Sequence, residues 1–158
     1  MKLLSDRGVD NAHLVVIGSG PLENKFKEEA ADLRIQCIFT GKLPYEQMCA
    51  QLAQCDIAVN PIAAGAAQSI INKHADYAIA GLPVVNTQEN EEYRMLLSDY
   101  ACGINCQAGN ADQVADAISE LALNEEVCRT MRVNSCRLGL DKFDRSKTYG
   151  EIVNFVQA

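Results

Sequence analysis

The sequence predicts an α/β fold, a Rossmann-like doubly wound parallel sheet followed by a helical C-terminal region. Three observations lead there. Short β-branched apolar runs alternate with helical stretches, every connection is long enough to hold a crossover helix, and the pattern turns wholly helical after residue 106. Strands joined in this way run parallel, with right-handed crossovers.

The candidate strands are residues 13–17, 35–39, 56–59, 83–86 and 102–106. Between them, helices are predicted over 21–33 with Pro21 in the first turn, 45–55 behind Pro44, 72–80 stopping at Gly81, and 89–98. The tail holds three more, over 112–123, 125–138 and 146–156. In the first of these Val114, Ala117, Ile118 and Leu121 recur at amphipathic spacing, and Asn110 is placed to cap it. Residues 1–7 read as the tail of a helix, so an earlier strand is expected to be absent, as in a fragment. No repeat or linker divides the chain, and residues 1–158 are read as one domain.

Composition narrows the classes of function. A length of 158 residues with 48% hydrophobic content suits one globular core. No apolar run reaches membrane-spanning length, and charge interrupts Met1-Lys2-Leu3-Leu4-Ser5-Asp6-Arg7 too early for a signal peptide, so the expected location is cytoplasmic. The net charge of −7, with no basic stretch, argues against nucleic acid as a partner. Seven cysteines form no Cys-x-x-Cys pair and are expected to be reduced, mostly buried thiols. Cys102 and Cys106 come closest to a ligand pair, but a short strand separates them and neither His13 nor His74 completes a motif. No metal site is expected.

In open parallel sheets, ligands sit outside the carboxyl ends of the strands, which directs attention to the loops there. Gly18-Ser19-Gly20-Pro21 follows the first strand, and its glycines allow backbone to approach a ligand. It is not the dinucleotide fingerprint, because Glu23 stands where a third glycine belongs. Lys42 follows the second strand. A run of small residues from Asn60 through Gly65 and Gln68 to Ser69 follows the third, and its amides lead into a helix as an anion-binding entrance does, or as a plain surface loop. On that helix Lys73 and Asp76 lie three apart, on one face near the positive N-terminus, where a phosphate and a sugar hydroxyl would fit. An ordinary crossover with two solvated charges explains the same spacing. His74 lies about 100° round the helix from Lys73 and reads as a surface or packing histidine. No Gly-x-Ser-x-Gly, Ser-His-Asp set or His-x-x-x-His helix is present.

Pro61, Gly65, Lys73, Asp76-Tyr77 and Gly81-Leu82-Pro83-Val84-Val85, preceded by Leu14-Val15-Val16-Ile17-Gly18-Ser19-Gly20-Pro21 and Phe39-Thr40-Gly41, stand in a telling order. The chain resembles the C-terminal, donor-binding domain of GT-B-type, group 1 retaining glycosyltransferases. The resemblance runs over about residues 13–135. It implies that Asp76 takes the place of a family glutamate on the ribose hydroxyls of a nucleotide sugar, a role that suits a carboxylate but with one methylene less of reach. It implies that Gln68 stands where many members carry another glutamate, against the transferred sugar. Lys73 and the helix amides would face the diphosphate, with help from Lys42.

The same resemblance implies a nucleotide sugar as substrate rather than a cofactor, a role in polysaccharide or lipopolysaccharide assembly, and peripheral membrane association of the full-length enzyme. The family's N-terminal acceptor-binding domain, and the Arg and Lys that neutralise the diphosphate, find no counterpart here. The chain alone is therefore expected to be inactive. Two rivals remain: a non-catalytic nucleotide-binding or regulatory α/β module, and half of a nucleotide-sugar epimerase. A receiver-like module would want acidic residues where Gly18-Ser19-Gly20 stands.

Overall fold

The computed structural model describes residues 1–66 and 70–157. Five strands are found, β1 His13–Ile17, β2 Gln36–Gly41, β3 Ala58–Asn60, β4 Val84–Asn86 and β5 Gly103–Asn105, and every pairing is parallel. Helices α1 Lys2–Ser5, α2 Glu23–Ala31, α3 Tyr45–Leu52, α4 Asn72–Ile79, α5 Glu91–Asp99 and α6 Ala111–Leu123 alternate with them. Two more follow, α7 Glu125–Leu138 and, after a π-helical turn at Gly139–Phe143, α8 Arg145–Gln157. The α/β class and the helical C-terminal region are as the sequence predicts.

The sheet departs from expectation in one respect. Its strands divide into two hydrogen-bonded groups, β1 with β2, and β3-β4-β5 in that order. No backbone pairing joins β1 to β3 among the described residues.

Boundaries moved where a polar group found a different partner. The third strand starts at Ala58 rather than Asp56, because the partner that the Asp56 carbonyl would meet on β4 is Pro83, which has no N–H; the carbonyls of Cys55 and Asp56 accept instead from the Arg132 guanidinium on α7 at 2.9 and 3.4 Å. Glu89 lies outside α5, whose cap is Asn90, accepting from the Tyr93 N–H at 2.9 Å. Asn110 caps α6 as expected, accepting from the Gln113 N–H at 3.0 Å.

The main core lies under the three-stranded group, where Leu82, Val84, Tyr93, Leu97, Cys102 and Leu138 are almost wholly buried. Burying such side chains contributes roughly 1.5–3 kcal/mol each before entropy is counted. α7 closes this face. Its Ser135 hydroxyl donates to the Leu82 carbonyl at 2.8 Å, and Gly139, beyond its end, fits tightly against the backbone of α4. On the opposite face Val85, Cys106, Ala117 and Leu121 form a second cluster.

All seven thiols are unpaired, but the expectation that most are buried needs correction. Only Cys102 and Cys106 are buried, four are half-buried, and Cys136 is exposed, because α7, which carries it and Cys128, turns those positions toward the rim of the core.

Candidate functional site

At the carboxyl ends of the strands, short hydrogen bonds tie consecutive loops together. The Gly18 N–H, beyond β1, donates to the Gly41 carbonyl at 2.8 Å, with φ of +124° and +67° at the two glycines. Both angles suit a residue without a Cβ. Gly20 is exposed, and its carbonyl accepts from the Glu23 N–H at 3.1 Å. Lys42, next along, is exposed. Gly65 (φ +71°) donates its N–H to the Glu89 carboxylate at 2.9 Å, linking the loop after β3 to the loop after β4. The amide is thereby already matched to an anion of the chain itself.

α4 carries the pair that the sequence singled out. Lys73 is half-buried, forms no ion pair with a described residue, and has its pKa lowered by burial. An ammonium held partly out of water with no counterion is suited to an incoming anion. Asp76 is half-buried one turn on and accepts from the Tyr45 hydroxyl at 3.1 Å. Tyr45, at the start of α3, is 67% exposed, and hydrogen bonds to Cys49 and Asp76 hold its pKa above the usual phenol value. This contact joins the loop of Lys42 to the helix of Lys73, a link that spacing could not show. Gln68 and Ser69 lie outside the described residues.

His74 proves to be the packing histidine, 1% exposed and stacked on Tyr93 with ring centroids 3.7 Å apart. Its Nδ1 accepts from the Ile71 N–H at 3.2 Å, so it does for this helix what a capping-box side chain at the third position does. With Nδ1 accepting, Nε2 carries the proton and donates to Gln88. Burial, with the neighbouring Lys73 charge, lowers the pKa from 6.5 to about 4, so the ring is neutral at physiological pH.

Beneath the rim lies a polar row that sequence reading missed. Asn60, Asn86 and Asn105 end three successive strands in register. Asn60 Nδ2 donates to Asn86 Oδ1 at 2.8 Å, and Asn86 Nδ2 to Asn105 Oδ1 at 2.9 Å. Asn60, Asn86 and Gln88 are fully buried, and Asn86 Oδ1 also accepts from the Gln88 N–H at 3.1 Å. Thr87 bonds the Ile62 backbone on both sides, its oxygen accepting at 2.7 Å and its hydroxyl donating at 2.8 Å. The signal was present in the sequence, since Val59-Asn60, Val85-Asn86 and Ile104-Asn105 repeat one apolar-Asn ending. Such a network holds the loops that it underlies in one arrangement.

A separate cavity of about 360 Å³ opens at the same end of the strands, between α1, residues 61–63 and α6. Its walls are mostly apolar, and neither Lys73 nor Asp76 lines it. Among the described residues, no group of three His, Cys, Asp or Glu side chains is placed to hold a metal ion, and no helix is long and apolar enough to cross a membrane.

The family description for group 1 of the glycosyl transferases matches residues 1–124. The chain belongs to that family. This match on a group 1 glycosyl transferase runs from α1 to the end of α6, and so takes in all five strands and every loop at their carboxyl ends. No curated protein matches the chain. The resemblance to group 1 glycosyltransferases is therefore correct at the level of the family, and a glycosyltransferase-like function follows at that level.

Proposed function

We propose that this group 1 glycosyl transferase chain is the donor-binding half of a hexosyltransferase that moves a sugar from a nucleotide sugar to a hydroxyl acceptor. The observation that carries the reading is the half-buried Lys73 ammonium, without an ion pair to any described residue, one turn before Asp76 at the N-terminus of α4, with Tyr45 of α3 bonded to Asp76.

Each group has a chemical task. The Lys73 ammonium and the first-turn amides of α4 receive the diphosphate and stabilise the charge that grows on it as the glycosidic bond breaks. Asp76 keeps one oxygen beyond the Tyr45 contact to accept from a ribose hydroxyl. Gly18 and Gly20 let backbone approach the donor, and Lys42 adds positive charge at the rim. By the family resemblance Gln68 meets the transferred sugar, and Ser69 is kept as a further donor-binding candidate. The Gly65 amide becomes available to the donor once Glu89 turns away. The donor is a substrate, and no metal or cofactor enters the scheme. The acceptor is bound by an N-terminal domain outside this chain, which supplies the remaining groups, so the chain alone is inactive. The setting is cytoplasmic polysaccharide or lipopolysaccharide assembly, with the intact enzyme at the membrane periphery.

Calorimetric titration of the chain with a panel of nucleoside diphosphates and nucleotide sugars tests the reading. Weak binding of one base is expected, lost in Asp76→Ala and weakened about tenfold in Lys73→Ala, as one charge-assisted contact of roughly 1.5 kcal/mol requires. A flat response to the whole panel refutes it and leaves a non-catalytic module.

A further inference from the structure

We propose that Tyr45 is a specificity-determining residue of the donor site: its hydroxyl and the Asp76 carboxylate act as one acceptor pair for a vicinal diol, so that the site takes ribonucleotides and rejects their deoxy forms. This deepens the donor-site reading and rests on it.

Geometry supplies the first argument. The Tyr45 hydroxyl donates to Asp76 Oδ1 at 3.1 Å, a separation close to that between the oxygens of two cis vicinal hydroxyls. A diol that donates twice needs two acceptors, and one oxygen of Asp76 is already engaged. With the phenol proton committed to Oδ1, the acceptors that remain are Asp76 Oδ2 and the phenol oxygen itself. One hydroxyl of the diol then meets each of them.

Exposure supplies the second. Tyr45 is 67% exposed, whereas Asp76 is half-buried on a short side chain. The exposed member of the pair stands nearer to an incoming ligand and carries the acceptor set outward, a reach that the aspartate lacks alone. Along α4, Lys73 and Asp76 are separated by a rise of about 4.5 Å. That order places a diol one turn beyond an anion, as in a nucleoside 5′-diphosphate.

Rigidity supplies the third. Tyr45 is the first residue of α3, directly behind Pro44, whose carbonyl accepts from the Met48 N–H at 2.9 Å. Asp76 lies within α4, whose first turn is fixed by His74 on the Ile71 N–H. Acceptors carried on two helices keep their spacing better than acceptors on loops. Cys49, one turn along α3, hydrogen-bonds the same phenol, and the two partners hold its pKa above the usual value. The phenol thus keeps its proton, and its oxygen meets the ligand as an oriented acceptor. A deoxy ligand would leave one acceptor of the pair dry and unmatched, which is how a site built for a hydroxyl rejects the analogue without it.

Calorimetry on the full chain and on Tyr45→Phe tests the pair. The ring is exposed enough to lose its hydroxyl without loss of the fold. The probes are uridine, guanosine, adenosine, cytidine and thymidine diphosphates, then the 2′-deoxy and 3′-deoxy forms of the ribonucleotide that binds best. Each deoxy form should bind about tenfold or more weakly than its parent. Tyr45→Phe should weaken the parent about tenfold and leave one deoxy form, the one lacking the hydroxyl that Tyr45 accepts from, within about twofold of its original affinity. Unchanged binding in Tyr45→Phe, or an equal loss for the parent and both deoxy forms, overturns the proposal and leaves the donor-site reading standing. Thymidine diphosphate binding as tightly as the best ribonucleotide does the same. Failure of the unaltered chain to bind any of the probes removes the donor-site reading and the acceptor pair with it.

Discussion

Acidification isolates the work done by His74. The imidazole has a pKa of about 4 in the folded chain against 6.5 unfolded, so the unfolded state takes up a proton first. Its contribution to stability is therefore complete above the unfolded value and is lost as the pH falls through 6.5 toward 4. At pH 5 the linkage amounts to about 2 kcal/mol, and below pH 4 it levels off near 3 kcal/mol. The structural cause is a ring 1% exposed, beside the Lys73 charge, with Nδ1 held by the Ile71 N–H and therefore closed to a proton. His74→Gln keeps an acceptor for that N–H without a titrating ring. Urea unfolding of both proteins from pH 7.5 to 4 provides the measurement, since the carboxylates titrate alike in each. The two stability curves should differ in slope by about 2 kcal/mol between pH 7.5 and 5, with the histidine protein losing more. Parallel curves would show that the ring protonates freely in the fold, and the capping and packing role assigned to it would fail.

Three further outcomes follow from particular contacts. Asn86→Leu leaves Asn60 Nδ2, the Gln88 N–H and Asn105 Oδ1 without the partner they share, and should cost about 3 kcal/mol or more in denaturant unfolding, against about 1 kcal/mol for Asn105→Ala at the partly exposed end of the row. Gly103→Ala places a Cβ 2.5 Å from the Val84 carbonyl oxygen and 3.1 Å from Leu97, costing about 3 kcal/mol or folding itself, while Gly20→Ala, with nothing within 4 Å, should stay within about 0.5 kcal/mol. Thiol labelling should modify Cys136 at once and leave Cys102 and Cys106 untouched until the chain unfolds, because both are buried and burial raises both thiol pKa values, that of Cys102 to about 11.

Much of the fold was legible residue by residue. β1 and α7 have the bounds that periodicity and punctuation mark out, and the Asn110 cap and the stop at Gly81 were readable because each depends on neighbours within one turn. The start of β3 was not, since it depends on its register against β4, where Pro83, about twenty-five residues on, has no N–H to extend the pairing. At the site, the proximity of Lys73 and Asp76 was legible from helical spacing alone. Tyr45, the Glu89 carboxylate on Gly65 and the stacking of His74 on Tyr93 were not, because each joins elements that only the packed sheet brings together.

By itself the sequence determined the class of each element, the parallel sense of the strands, and membership of the group 1 glycosyl transferases, since periodicity, turn residues and ordered motifs are local properties of the chain. Tertiary structure alone decided which asparagines form a buried row, which histidine is kept neutral, and that the strands fall into two groups with unpaired edges between them. Those features arise from lateral register and burial, and both depend on how distant segments share space rather than on what any segment prefers.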